Sequence, residues 1–409
     1  MKIDLTARCK KLDENKTFQN LFELTCENPS AISALYIDNG KDVKLCYADS
    51  VKMTYAAAKT FSEIFGDSNK GRFVAISLDT CPEWFPIFWG ILAAGYNALL
   101  LDPMLNDEMT SFMLDEAGAV AIISAKKRNL ETNTLYLNDI DFARNTDGFK
   151  LSFADKIAIC TSGTTATSRI FVYDQSAVCE QVLNSLLIQE KNTRIVDGVN
   201  RRALAFLPFH HVFGLVVNLL WAHFIGYETV YLKNRAAETI LYTCRHFNVV
   251  YLATVPVLAN SLSTSIQRKL AQESRLKRFA FNFMKSLSIF IQRIAPEPGA
   301  DFAKNVMFGK LNDQLLGRDI ECIILGGSHT PNASVKMLSS LGYFTICGFG
   351  LTETAITSVE TSKRLGARIS GSVGRPMESV EYKVNSENSN TGELLIRGKS
   401  LHTAQLKGG

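Results

Sequence analysis

Short apolar runs alternate with amphipathic stretches along most of the chain. FVAISL (73–78), NALLL (97–101), AVAIIS (119–124), IAIC (157–160), ALAFL (203–207), ETVYL (228–232), VVYLA (249–253) and ECIILGG (321–327) each predict a buried strand. Helical spacing marks residues 82–94, 176–190, 236–247 and 332–341. Strands that alternate with helices imply layered α/β structure with largely parallel sheets. After about Val359 the helical period stops. Alternating strands take over, SVEYKV (379–384) and GELLIRG (392–398). The expected organisation is two layered α/β subdomains, 1–155 and 156–358, followed by a small C-terminal β-rich subdomain, 359–409.

Two long stretches carry no charge. Residues 84–101 read WFPIFWGILAAGYNALLL, and residues 203–227 lack Asp, Glu, Lys and Arg. Length alone would let either cross a bilayer. Pro86, Gly90, Gly95 and Asn97 interrupt the first, and Pro208 with three histidines interrupts the second. Both fit a buried helix joined to a buried strand better than a span.

A third segment differs in kind. Residues 267–293 hold seven basic side chains and one acidic, Glu273. Leu276, Phe279, Ala280, Phe283, Met284, Leu287 and Ile291 share one helical face. Such a helix can lie on an anionic membrane surface or on a partner. The plainer reading packs the stripe on its own domain beneath a solvated basic face. It is favoured, because core-packed helices show the same stripe.

Composition narrows the class. With 46% hydrophobic and 21% charged residues over 409 positions, the chain is an ordinary globular protein of two or three domains. A net charge of +4, from 44 basic and 40 acidic residues, is too balanced to suggest a nucleic-acid partner. The N-terminus MKIDLTARCKKLDENKTF offers no secretory signal. Nine scattered cysteines without a CxxC pair suggest reduced thiols in a cytoplasmic protein, with peripheral membrane contact through 267–293 as the variant of that reading.

Four polar stretches carry candidate chemistry. The first, CTSGTTATSR (160–169), lies between the strand IAIC and a second strand, IFVY (170–173). A Walker loop is strand–loop–helix with GxxxxGK[ST]; here Ser168 stands five residues after Gly163, so that motif is absent. Thr161, Ser162, Thr164, Thr165, Thr167 and Ser168 can still donate to phosphate oxygens, Gly163 allows close backbone approach, and Arg169 brings a fork of donors. A plain polar turn has the same composition. The second stretch, LPFHHVFG (207–214), sets His210 and His211 before an apolar helix. Either imidazole could bond a carboxylate, or be satisfied at a buried helix start. The third, GGSHTP (326–331), puts Gly326, Gly327 and Ser328 at a strand's C-terminal end, where α/β sheets bind ligands; a bare β-to-α turn looks the same. In the fourth, GFGLTET (348–354), Phe349 offers a stacking face, Thr352 a hydroxyl and Glu353 a carboxylate for Mg2+. The alternative is a glycine-rich turn with Thr352 as the N-cap of a helix.

Together with GSVGRP (371–376) and TGELLIRG (391–398), these stretches occur in an order that resembles the adenylate-forming superfamily of acyl-CoA synthetases, luciferases and peptide-synthetase adenylation domains. Within it the chain is most similar to fatty acyl-CoA ligases. The resemblance implies a role for each matching position. Residues 161–169 would hold the β- and γ-phosphates of ATP. Gly348, Phe349, Gly350, Leu351 and Thr352 would bind the nucleotide, with Phe349 on adenine and Thr352 at the α-phosphate. Glu353 would ligate Mg2+. His211 would stand beside the acyl carboxylate, in a pocket shared with Gly326 and Gly327, and Ser328 would adjoin the nucleotide. His211, Arg169 and Thr352 would be the catalytic set.

The implied activity is ATP-dependent conversion of a small carboxylic acid, a medium- or long-chain fatty acid, to its acyl-adenylate, then transfer to coenzyme A. A carrier protein is the alternative acceptor, and a non-catalytic nucleotide-binding module the third reading. Ala166, Ser168 and Arg169 replace the family's usual Gly, Pro and Lys, and His210 stands where many relatives have Phe. The chain stops at LHTAQLKGG, ahead of the family's ribose-gripping Asp and its mobile C-terminal domain. The expectation is therefore a large N-terminal domain that binds ATP or AMP and adenylates poorly alone.

Overall fold

The computed structural model describes residues 3–161, 169–192, 194–195, 201–386 and 391–406. Of the phosphate-loop candidates, Ser162, Gly163, Thr164 and Thr165 lie outside the described residues, as do Ala166, Thr167 and Ser168.

Among the described residues the strands form sheets of nine, seven and two. The largest runs Arg375–Pro376, Ala355–Val359, Phe344–Leu351, Cys322–Leu325, Tyr251–Thr254, Arg202–Ala205, Glu228–Tyr231, Ile32–Asp38, Lys41–Cys46. Its six central strands are parallel, and antiparallel strands close both edges. The second sheet runs Ala404–Leu406, Ile170–Asp174, Lys156–Cys160, Asn97–Leu100, Phe73–Ser77, Ala121–Ser124, Asn133–Tyr136, with the last five parallel. Val380–Asn385 and Glu393–Gly398 pair as a hairpin. The fold is thus mixed α/β with large, mostly parallel sheets and a small antiparallel C-terminal sheet. The parallel strands read as unbroken apolar runs because helices cover both of their faces.

Sheet membership does not run in chain order. Ile32–Asp38 and Lys41–Cys46 join the largest sheet, while Ala404–Leu406 returns to the second. The cut expected near 359 falls inside the strand Ala355–Val359. The N-terminal hairpin adds two strands to those expected from the apolar runs. Its turn is Asn39–Gly40, with φ of 47° and 77°, the left-handed pair that a tight hairpin requires.

Both uncharged stretches are buried in the way expected. All ten residues of the helix Trp84–Ala93 are buried, and the strand Asn97–Leu100 follows. Gly90 lets this helix press on Tyr47–Phe65; a Cβ at Gly90 would stand 2.8 Å from the Cβ of Ala57. After Arg202–Ala205 comes a continuous helical run, buried from Gly214 on, whose middle, Leu215–Trp221, is π-helical. Among the described residues no helix is long and apolar enough to cross a membrane.

The helix Arg275–Ile294 corrects an expectation. Apart from Met284, which packs against a buried apolar cluster, and Ile291, which is half-buried, its apolar stripe does not pack on the domain. Leu276, Phe279, Phe283, Leu287, Phe290 and Ile294 are exposed, whereas Ser288, Ile289 and Gln292 are buried. The reason lies in what the inner face meets. The carbonyls of Ser339 and Ser340 need donors there. Ser288 Oγ donates to Ser340 O at 2.7 Å and Gln292 Nε2 to Ser339 O at 2.9 Å.

Candidate active site

The strands Lys156–Cys160 and Ile170–Asp174 pair antiparallel with Cys160 opposite Ile170, so the phosphate-loop candidate is strand–loop–strand as read. Its base is closed by two bonds. Thr161 N donates to Arg169 O, and Arg169 N donates to Thr161 Oγ1, each at 2.9 Å.

A cavity of about 480 Å³ opens at the C-terminal ends of the parallel strands of the largest sheet. Thr161, His211, Gly326, Gly327, Gly348, Phe349, Gly350, Leu351, Thr352 and Glu353 all line it. Arg169 and Ser328 are exposed and are not among its lining residues. The rest of the wall is mostly apolar. The π-helical run supplies Val216, Val217 and Trp221, and the neighbouring strands supply Tyr251 and Ile324. Gly326 is needed where it stands, since a Cβ there would lie 2.9 Å from the ring of Phe213.

GFGLTET forms a turn between two antiparallel strands, Phe344–Leu351 and Ala355–Val359. It is not a helix start, so Thr352 is not an N-cap. The turn closes on itself: Thr354 N donates to Leu351 O at 3.2 Å, and Leu351 N to Thr354 Oγ1 at 3.1 Å. Ala355 takes a φ of 53°, a left-handed value that costs a non-glycine residue about 1 kcal/mol. Neighbouring elements brace the backbone that carries this strain. Tyr173 Oη donates to Thr352 O at 2.6 Å, and His402 Nδ1 to Glu353 O at 2.5 Å.

His210 and His211 follow Pro208 in a tight turn, with His211 N donating to Pro208 O at 3.3 Å. Burial pushes His210 down to about 3; the charge of His211 adds to the effect and Asp102 opposes it. Burial also lowers His211, again against Asp102. Both imidazoles are therefore neutral at pH 7, and His211 meets the cavity as a hydrogen-bonding group rather than a cation. Asp102 Oδ1 stands 3.8 Å from His210 Nε2. No sequence signal linked Asp102 to this pair, because it follows a strand of the other sheet. Gln181 and Asn184 were also missed. They lie one turn apart on the helix Gln175–Lys191 and line the cavity. Gln181 Oε1 accepts from Ile356 N at 3.3 Å and its Nε2 donates to Ser400 O at 3.0 Å, which ties that helix to the turn-bearing hairpin.

The family model described as AMP-binding enzyme matches residues 22–404. The chain belongs to that family. A long-chain-fatty-acid–CoA ligase of Schizosaccharomyces pombe is 25% identical over 241 residues, 55% of this chain and 33% of that protein. A linear gramicidin synthase polypeptide of Brevibacillus parabrevis is 22% identical over 394 residues, 94% of this chain and 4% of that protein. The solved structure of O-succinylbenzoate coenzyme A synthetase from Bacillus subtilis with AMP superposes with a TM-score of 0.71 at 16% identity, over 94% of this chain and 89% of that one. The AMP-binding fold is thereby shared. The match spans only a third of the fungal ligase's length.

The donor set suits what an AMP-binding enzyme holds. Glu353 is the only charged side chain among the described residues lining the cavity. One carboxylate is what Mg2+ takes from a protein when phosphates and water supply its remaining oxygens. Gly348 and Gly350 keep the wall beside Phe349 free of side chains.

Proposed function

We propose that this site activates a carboxylic acid, of the medium- or long-chain fatty type, as an acyl-adenylate and passes the acyl group to coenzyme A. One observation carries the reading. A single cavity joins an apolar wall to the turn with Thr352 and Glu353 and to the base of the phosphate loop at Thr161. The apolar wall has no charged group among its described residues to hold an amino acid's ammonium, which suits an acyl chain.

The acid is already ionised at pH 7, so no general base is required. A carboxylate oxygen attacks the α-phosphorus of ATP, the new O–P bond forms, and pyrophosphate leaves. The protein's task is in-line positioning and neutralisation of phosphate charge. Thr352 and the phosphate-loop donors, with Arg169 beside them, are the proposed positioning groups. Mg2+, held by Glu353, would supply electrostatic stabilisation of the phosphates. Neutral His211 would orient the carboxylate through a hydrogen bond. A thiolate then attacks the acyl carbon and AMP leaves. The thiol of a carrier protein serves this chemistry equally, and the match to the gramicidin synthase over 94% of this chain keeps that acceptor as the second reading.

The test is ATP–pyrophosphate exchange with acids of graded chain length and with amino acids. Exchange is expected with fatty acids, and Thr352→Ala or Glu353→Gln should lower it roughly tenfold or more. Exchange with amino acids alone would move the site to the peptide-synthetase class. No exchange with any acid, together with no ATP or AMP binding by calorimetry, would refute the reading.

A further inference from the structure

The helix Arg275–Ile294 wears its apolar residues on the outside. Leu276, Phe279, Phe283, Leu287, Phe290 and Ile294 are exposed by 38% (Leu287) to 77% (Leu276). At 100° per residue they fall within an arc of about 80° and run about 27 Å along the helix. Six large apolar side chains in one strip reach or exceed the largest patch usual on a monomeric protein, roughly 300–600 Å². The inner face is held by Ser288, Ile289 and Gln292, so turning the strip inward would break bonds already made.

The charges around the strip are mostly basic. Arg275, Lys277, Arg278 and Arg293 are exposed on the same helix, and Arg268 and Lys269 are exposed at the end of the helix before it, Pro256–Ala271. Of the acidic residues at its two ends, Glu273 is engaged by Lys277 Nζ at 2.8 Å and Glu297 by Lys363 Nζ at 3.2 Å.

We propose that this helix is a docking surface for an anionic lipid bilayer. It would lie in the interface plane, with the strip among the acyl chains and the arginines and lysines at the headgroups. The charge selects this occupant over a second copy, since pairing two such faces would bring two basic rims together. The helix lies on the bilayer and does not span it, in keeping with its charged flanks. The proposal rests on the exposed surface alone and holds whichever acid the cavity takes.

The probes are vesicles of phosphatidylcholine mixed with an equal amount of phosphatidylglycerol, and vesicles of phosphatidylcholine alone. The chain should float with the anionic vesicles, bind the neutral ones much more weakly, and dissociate as salt rises. The triple change Phe279→Ser, Phe283→Ser, Phe290→Ser should weaken binding about tenfold or more without moving the thermal midpoint, because the replaced rings are exposed. Phe279→Trp should shift its emission to the blue on anionic vesicles. Equal binding by the triple variant, or no binding and no shift in the wild-type frame, would overturn the proposal. So would self-association that the triple change abolishes in a chain that ignores vesicles, which would assign the face to a second copy. Vesicle binding and pyrophosphate exchange are read separately, so failure of one leaves the other standing.

Discussion

Two helices of this molecule carry the same kind of side chain and use it in opposite ways. Trp84–Ala93 buries every residue, and its rings meet other rings: Trp89 lies 5.3 Å from Phe22 and 5.1 Å from Phe88. Arg275–Ile294 turns five of its large apolar residues, Leu276, Phe279, Phe283, Phe290 and Ile294, more than half into solvent and buries Ser288 and Gln292 beside Ile289. Hydrophobic period says where the stripe lies on a helix. It does not say which way the stripe faces. That is decided by what the neighbouring backbone needs, and beside Ser339 and Ser340 it needs donors.

The contrast can be broken at several strengths. Trp89→Ala should cost roughly 3–5 kcal/mol in urea unfolding, the largest effect here, because the pocket of rings cannot collapse around the void. Acid should act on the same side of the molecule. His223 packs 5.1 Å from Phe85, and burial pushes it down to about 4. Its folded pKa lies below the ordinary 6.5, so its stabilising share is present above about 6.5 and is lost as pH falls toward 4. Going from pH 7 to pH 5 should remove about 2 kcal/mol through His223, with His210 adding to it. The outer helix has no histidine to contribute. An unfolding free energy unchanged between those pH values would contradict the burial argument. Ser288→Ala should cost about 1–2 kcal/mol, since it leaves Ser340 O without its donor. The smallest effect belongs to Phe279→Ser, which should stay within about 0.5 kcal/mol. A cost of several kcal/mol there would mean that the strip is packed after all, and the docking proposal would fall with the contrast.

The strands and helices that could be read from the sequence were those with a strong local pattern. The runs at 73–78, 97–101 and 321–327 are apolar on both faces, and the structure places strands in all three. The hairpin Ile32–Asp38/Lys41–Cys46 carries a fainter signal, Asn39–Gly40 between two alternating segments. Asp38, Lys41, Asp42 and Lys44 dilute its apolar pattern, so it does not stand out as a strand pair. The turn after Leu351 could not be told from a helix start, since Gly, Thr and Glu serve both. At the site, the glycine-rich stretches stood out, and the structure gathers most of them around one cavity. Asp102 did not stand out, because its tie to His210 is made across sheets. Gln181 and Asn184 did not either, because a polar pair on a helix ordinarily faces water.

The strand Ala404–Leu406 has a consequence for synthesis. It pairs with Ile170–Asp174, setting Gln405 opposite Phe171, and His402 just before it grips Glu353 O. A strand made before the midpoint of the chain thus waits for a partner made near residue 405. Until that partner leaves the ribosome, Ile170–Asp174 is a bare sheet edge beside the phosphate loop, open to pairing with another nascent chain. A version cut before His402 would therefore reveal itself first as insoluble protein, and only afterwards as a weak binder of nucleotide.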